Sequence, residues 1–249
     1  VPDTLTPFSG YQRYYCMNMN KWVAILLLST VPAVLYAQVS ADVNIGIGTY
    51  YASAKNSQSK YLPTTKPNAS TILNIPIKNR VALRTGLMYS IRGYNTVNKE
   101  DFGKNKLYYT SNYRMHYISV PLMASFRVMD RKTVSLWMDG GMSYNFFLHG
   151  YMRYDYKNYK GNELVSEVGE KYRINGKIAP SKYGSTQNSY DVTGLDVAMK
   201  MQLRVVIKEK YSLSVFHENS LYDIRVKPDN PSSSVKMRNT GMSIGYIIR

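Results

Sequence analysis

The chain has 249 residues, a formal charge of +16, 24 tyrosines against 6 phenylalanines, and one cysteine. A lone cysteine excludes a disulfide framework and any site built from several thiolates. The positive charge is spread without a long run of like charges, so no basic arm stands out, and tyrosine in such excess suits surfaces that are half wet.

The stretch Met17 to Gln38, MNMNKWVAILLLSTVPAVLYAQ, carries Lys21, then an apolar run from Trp22 to Leu35, then the small Ala37. This is the pattern of a secretory signal peptide, and the run is shorter than the ~20 residues a spanning helix needs. We expect residues 1–16 to be an upstream extension, residues 17–37 a signal peptide cut between Ala37 and Gln38, and residues 38–249 the working domain. Cys16 precedes the apolar run, so it is not placed as a lipoprotein cysteine, and the expected mature chain has no thiol. Export also removes nucleic acid as a partner.

Beyond residue 38 the recurring period is two, the period of a β-strand. Val39 to Tyr51 sets Val43, Ile45 and Ile47 against Asp42, Asn44 and Gly46, and residues 70–77 form a short second strand. A third strand, VALRTGLMYSIRGY, sets Leu83, Leu87 and Tyr89 against Arg84, Gly86 and Arg92. In the fourth, HYISVPLMASFRV, Ile118, Leu122 and Phe126 oppose Tyr117, Pro121 and Arg127. The fifth opposes Met138, Met142 and Phe146 to Trp137, Asp139 and Ser143, and the sixth opposes Met199, Met201 and Leu203 to Asp196, Lys200 and Arg204. The seventh, from Tyr211, is less regular because His217 and Asn219 share the face of Leu213 and Val215; the eighth carries Met242, Ile244 and Tyr246.

Tight polar turns near Lys78, Arg131 and Glu209 alternate with long connections over about residues 52–69, 95–111 and 151–187 and a shorter one near 228–234. Short turns at one end and long loops at the other predict an all-β, eight-stranded antiparallel up-and-down transmembrane β-barrel in the outer membrane, with both termini periplasmic. A soluble barrel with its apolar face turned inward has the same periodicity. Loop asymmetry, tyrosines near strand ends and strands of about ten residues favour the membrane. Pro121, which cannot donate to a ladder, then requires a bulge or a lapse in pairing on the lumen side.

The order of VALRTGLMYSIRGY, MHYISVPLMASFRV, VSLWMDGGMSYNFF and MSIGYIIR resembles the PorT-like outer-membrane β-barrel proteins of the Bacteroidetes across residues 38–249. The resemblance implies a signal-bearing eight-stranded barrel, with a link to protein export for the founding member, and a proline in the strand where Pro121 stands. Such barrels usually end on an aromatic residue, whereas here Ile248 stands in that place and Arg249 follows.

The lumen face should hold a polar cluster of structural character, Arg84, Asp139, Asp196, Lys200, Arg204 and Glu218, together with Arg92 and Arg127. Counted from the short-turn end, Asp139, Lys200 and Glu218 fall at similar heights, which predicts a charge ladder. No catalytic, cofactor or metal residues are assigned. His149 stands some ten residues, roughly 33 Å at strand rise, from Asp139, and could meet an acid only in a loop, such as Asp155. The expected role is structural or interactive rather than enzymatic. Long extracellular loops rich in lysine, arginine and tyrosine would contact outer-membrane lipid and lipopolysaccharide, or an envelope protein partner. A narrow anion-preferring pore is the alternative, and a surface enzyme stands third.

Overall fold

The computed structural model describes residues 39–54, 60–103, 105–161, 163–174, 176–177, 192–224 and 235–249. The expected signal peptide and upstream extension lie outside the described residues. Thirteen strands follow in chain order: β1 (Ser40–Ala54), β2 (Lys60–Leu62), β3 (Thr64–Lys78), β4 (Val81–Arg92), β5 (Asn95–Phe102), β6 (Asn105–Asp130), β7 (Val134–Lys160), β8 (Glu163–Ile174), β9 (Gly176–Lys177), β10 (Val192–Thr193), β11 (Leu195–Ile207), β12 (Tyr211–Ser220) and β13 (Val235–Ile248).

Eight of them close a ring. β1, β3, β4, β6, β7, β11, β12 and β13 pair antiparallel with their neighbours, and β13 returns to β1 with Ala41 opposite Ile248. Closure leaves the barrel no free edge. The alternation of residue types decides which face points out. Ile45, Leu87, Met138, Met201 and Ile244 are each more than half exposed, while Asp42, Arg84, Ser125, Ser143 and Asn145 are sealed inside. An apolar belt on the outside and a polar interior is the arrangement of a barrel in lipid; the soluble alternative needs the reverse.

The tight turns fall where the polar breaks predict them. At the one joining β11 to β12, Lys208 and Glu209 both take positive φ, 49° and 57°, and the amide of Lys210 donates to the carbonyl of Ile207 at 3.1 Å. Two left-handed centres, within the three residues between the paired Ile207 and Tyr211, give the tight turn a backbone of the kind usually built on Asn-Gly.

At Pro121 the lapse is found. β4 and β6 pair from Val81·Phe126 to Thr85·Leu122 and resume at Met88·Ser119 in the same register, so the steps holding Gly86 and Pro121 are skipped. Pro121 itself stays in register with Ser143 of β7. The missing donor thus costs one gap in one ladder.

The other end departs from expectation. Residues 95–102, 105–111, 151–160 and 163–174 are strand rather than loop. β6 and β7 run on, paired without interruption of the sheet to Asn105·Lys160, with β5 added to β6, β2 to β5 and β8 to β7. β7 has 27 residues where crossing needs about ten, so its upper part stands clear of the bilayer. The barrel wall therefore continues upward as a five-stranded sheet, ordered β2-β5-β6-β7-β8.

Candidate functional site

Eight strands enclose a space about one side chain deep on each wall. Glycines make part of that room: a Cβ at Gly241 would come within 2.6 Å of the Phe216 ring and 2.2 Å of the Ile47 carbonyl oxygen, so a side chain there and the buried ring exclude each other.

Charges fill the rest in two clusters. Near the short turns, Arg84 of β4 reaches across to two other strands, pairing with Asp42 of β1 at 3.0 Å and with Asp139 of β7. Arg204 joins Asp139 at 3.5 Å, and the Ser212 hydroxyl donates to Asp42 at 2.9 Å. Further up, Arg92 is the hub. Its guanidinium meets Glu218 at 2.9 Å and Asp196 at 3.5 Å, and donates to the Asn145 amide oxygen at 2.9 Å. The Asn145 amide nitrogen in turn donates to both carboxylates, at 3.2 Å to Asp196 and 3.0 Å to Glu218, and Ser220 adds a bond to Asp196 at 3.0 Å. Charges this far from water persist only when paired and hydrogen-bonded in this way.

All six residues expected in the lumen cluster, Arg84, Asp139, Asp196, Lys200, Arg204 and Glu218, are buried there. They do not form the ladder that counting suggests. Asp139 belongs to the lower cluster and Glu218 to the upper, while Lys200 lies between, its ammonium 3.5 Å from the Met88 sulfur and 5.2 Å from the Phe216 ring. Two members escaped the sequence reading of the cluster, Asp42 and Asn145, although both occupy inward positions in their strands. Asp42 alters the balance: four buried acids now face four buried cations, with Arg127 less buried at the short-turn mouth.

Both ends are stoppered. At the short-turn end the Arg127 and Arg204 guanidinia lie 4.6 and 5.3 Å from the Trp137 ring. At the other end, directly above Arg92, a second core gathers Tyr50, Tyr94, Met115, Tyr117, Met152 and Ile174. Tyr50 and Tyr117 hold the Arg92 guanidinium between their rings, at 5.9 and 5.1 Å. Phe147 packs against this plug from an inward position, and Met152 reaches it because β7 carries an extra residue: His116 pairs with His149 but Tyr117 with Phe147, so Leu148 bulges and the alternation of β7 inverts above it. In mid-lumen a cavity of about 20 Å³, lined by Arg84, Met88, Lys200 and Phe216 among others, has room for a single water.

The histidines lie elsewhere. His116 and His149 stack at 4.1 Å on the outside of the wall, and His217 shares a hydrogen bond with Thr240 at 2.9 Å, also outside. Asp155, a candidate partner for His149, pairs with Arg153 at 3.1 Å instead. Of the acids of the expected longest loop, Glu167 pairs with Lys157 at 3.0 Å and Glu170 accepts from the Tyr172 hydroxyl, both acids lying on β8. Among the described residues no group of three or more metal-ligating side chains converges.

Residues 30–214 match the family described as outer membrane protein beta-barrel domain. The chain belongs to this outer-membrane β-barrel family. Among solved structures, the attachment invasion locus protein Ail of Yersinia pestis is similar at 12% identity with a TM-score of 0.39, covering 84% of this chain and 98% of that one. OprG of Pseudomonas aeruginosa is similar at 9% identity and a TM-score of 0.38, covering 86% and 97%. Neisserial surface protein A follows at 9% and 0.36, covering 83% and 96%. No curated protein matches the chain. Membership in the family places this barrel in the outer membrane.

Proposed function

We propose that this outer-membrane barrel is a sealed anchor whose projecting sheet contacts lipopolysaccharide or an envelope protein partner, a structural or interactive role rather than transport or catalysis. The observation that carries the reading is a lumen filled by two charge clusters and stoppered by Trp137 below and the Tyr50–Tyr117 plug above. The lumen polar cluster of Arg84, Asp139, Asp196, Lys200, Arg204 and Glu218 serves to lock the interior. An anion-preferring pore loses its basis once Asp42 balances the buried cations. A hydrolytic role lacks a histidine beside an acid among the described residues, since the three histidines meet each other, Tyr89 and Thr240.

The order of strand motifs supports placement with the PorT-like barrels of the Bacteroidetes, and with it a connection to protein export. The start of β1 and the end of β13 pair at the short-turn end, which supports both termini facing the periplasm. That orientation agrees with a signal peptide over residues 17–37, preceded by an upstream extension and followed by the barrel from residue 38. Planar-bilayer recording tests the sealed anchor: the reconstituted protein should be electrically silent, and a steady single-channel conductance would overturn the proposal.

A further inference from the structure

The outward face of the wall changes character just above the lipid belt. Ile118, Phe146 and Leu148 are exposed at the top of the belt. Immediately above comes the stacked pair His116 and His149, with the Tyr89 hydroxyl bonded to His116. The next row across β6, β7 and β8 is Arg114, Tyr151 and Arg173, and the row above is Asn112, Arg153 and Lys171. The inverted alternation of β7 above Leu148 is what turns His149, Tyr151 and Arg153 outward to join them.

Tyr151 organises this group. Arg114 donates to its hydroxyl at 3.0 Å, and the Lys171 ammonium sits 4.1 Å from its ring centre. His149, Tyr151, Lys171 and Arg173 line an open depression of about 410 Å³. The only acid in these rows or the one above is Asp155, which Arg153 takes at 3.1 Å. Among the described residues, Arg114, Lys171 and Arg173 have no carboxylate partner. Higher on the sheet the signs are mixed, with Lys157 bonded to Glu167 and Lys99 near Glu100 and Asp101 in sequence. On the outward face of β6, β7 and β8, cations without an acid beside them are thus gathered in one band, at the height of the lipid headgroups and facing sideways into them.

We propose that Arg114, Lys171 and Arg173, gathered around Tyr151, bind the phosphate of an outer-leaflet glycolipid of the lipopolysaccharide type, with His116 and His149 beside it. The inference rests on the interaction reading above and names its lipid site. Guanidinium and ammonium groups set beside an aromatic ring suit a phosphate at a half-wet boundary. The apolar residues directly beneath would receive the acyl chains of the same molecule, which a soluble anion lacks.

The test uses the full chain in nanodiscs and fluorescent lipid A with and without its phosphates, with folding checked by heat-modifiable gel mobility. The triple variant Arg114→Gln, Lys171→Gln, Arg173→Gln is compared with Lys99→Gln, Lys106→Gln, Lys160→Gln, which removes the same charge higher on the sheet. Phosphorylated lipid A should bind the wild type and the upper variant alike. It should bind the site variant on the order of a hundredfold more weakly, and Arg173→Gln alone about fivefold more weakly, at ~1 kcal/mol per cation. Phosphate-free lipid A should not distinguish any of them. Equal loss in both triple variants would overturn the site while leaving a general lipopolysaccharide contact standing. A wild type that takes both lipids equally would overturn the site and the lipopolysaccharide reading together.

Discussion

Replacing Arg92 by methionine tests how the lumen is held. The substitution keeps most of the volume between the Tyr50 and Tyr117 rings but removes the cation that Glu218 meets at 2.9 Å and Asp196 at 3.5 Å. Asn145 can donate from one amide nitrogen to both acids, yet it carries no charge, and Lys200, though opposite Glu218 across the β11–β12 pair, makes its contact with the Met88 sulfur at 3.5 Å. Removing one partner from a buried ion pair typically costs 3–5 kcal/mol, because the remaining charge is stranded. Two carboxylates share this arginine, so Arg92→Met should fall at the upper end, about 5 kcal/mol. Adding Glu218→Gln to Arg92→Met should recover part of the loss, since one stranded charge disappears. Urea titration of vesicle-inserted protein, read by the gel mobility of folded and unfolded forms, gives both values. If Arg92→Met unfolds within about 1 kcal/mol of the wild type, or if the double variant is no more stable than the single, the charge network does not hold the lumen as described.

The hairpin between β11 and β12 should improve on redesign. Lys208→Asn with Glu209→Gly places residues tolerant of positive φ at both strained centres and should stabilise the barrel by about 1 kcal/mol in the same titration, despite loss of the exposed Arg249–Glu209 contact. Gly141→Ala should do the opposite. Its Cβ would lie 2.1 Å from the Leu122 carbonyl oxygen and 2.7 Å from the Met123 Cα, both backbone atoms that cannot swing aside, so folded protein on the heat-modifiability gel should fall sharply.

The barrel was legible because one outward apolar face repeats at period two through β1, β4, β6, β7, β11 and β13, and a single face facing lipid leaves that signature. The upper sheet was not legible as strand, because its outward face carries charge where the barrel carries apolar residues. In YMRYDYKNYK, Met152, Tyr154 and Tyr156 alternate with Arg153, Asp155 and Lys157, and that short period of two was the available signal. The plug was hidden for a related reason: its residues come from β1, the β4–β5 connection, β6, β7, β8, β10 and beyond β12, and each segment offers it only a few.

The inward residues could be listed from the alternation, but not their partners. Counting heights from the turns treats neighbouring strands as the contacts, whereas Arg84 reaches from β4 to β1 and β7 and Arg92 from β4 to β11 and β12. Those meetings depend on strand tilt and on closure across the lumen. The outward placement of His149 was also beyond the pattern, because the bulge at Leu148 shifts every later residue of β7 to the opposite face.

The most direct test of the account is a quenching scan along β7 in a Cys16→Ser background, where each added cysteine is the only thiol. Fluorophores on Met138→Cys, Met142→Cys and Phe146→Cys should be quenched by lipids brominated in their acyl chains, whereas one on Ser135→Cys, which points inward, should not. Quenching at Ser135 and not at Met138, or at none of the four positions, would contradict a barrel that turns its apolar face to the membrane and its charges inward.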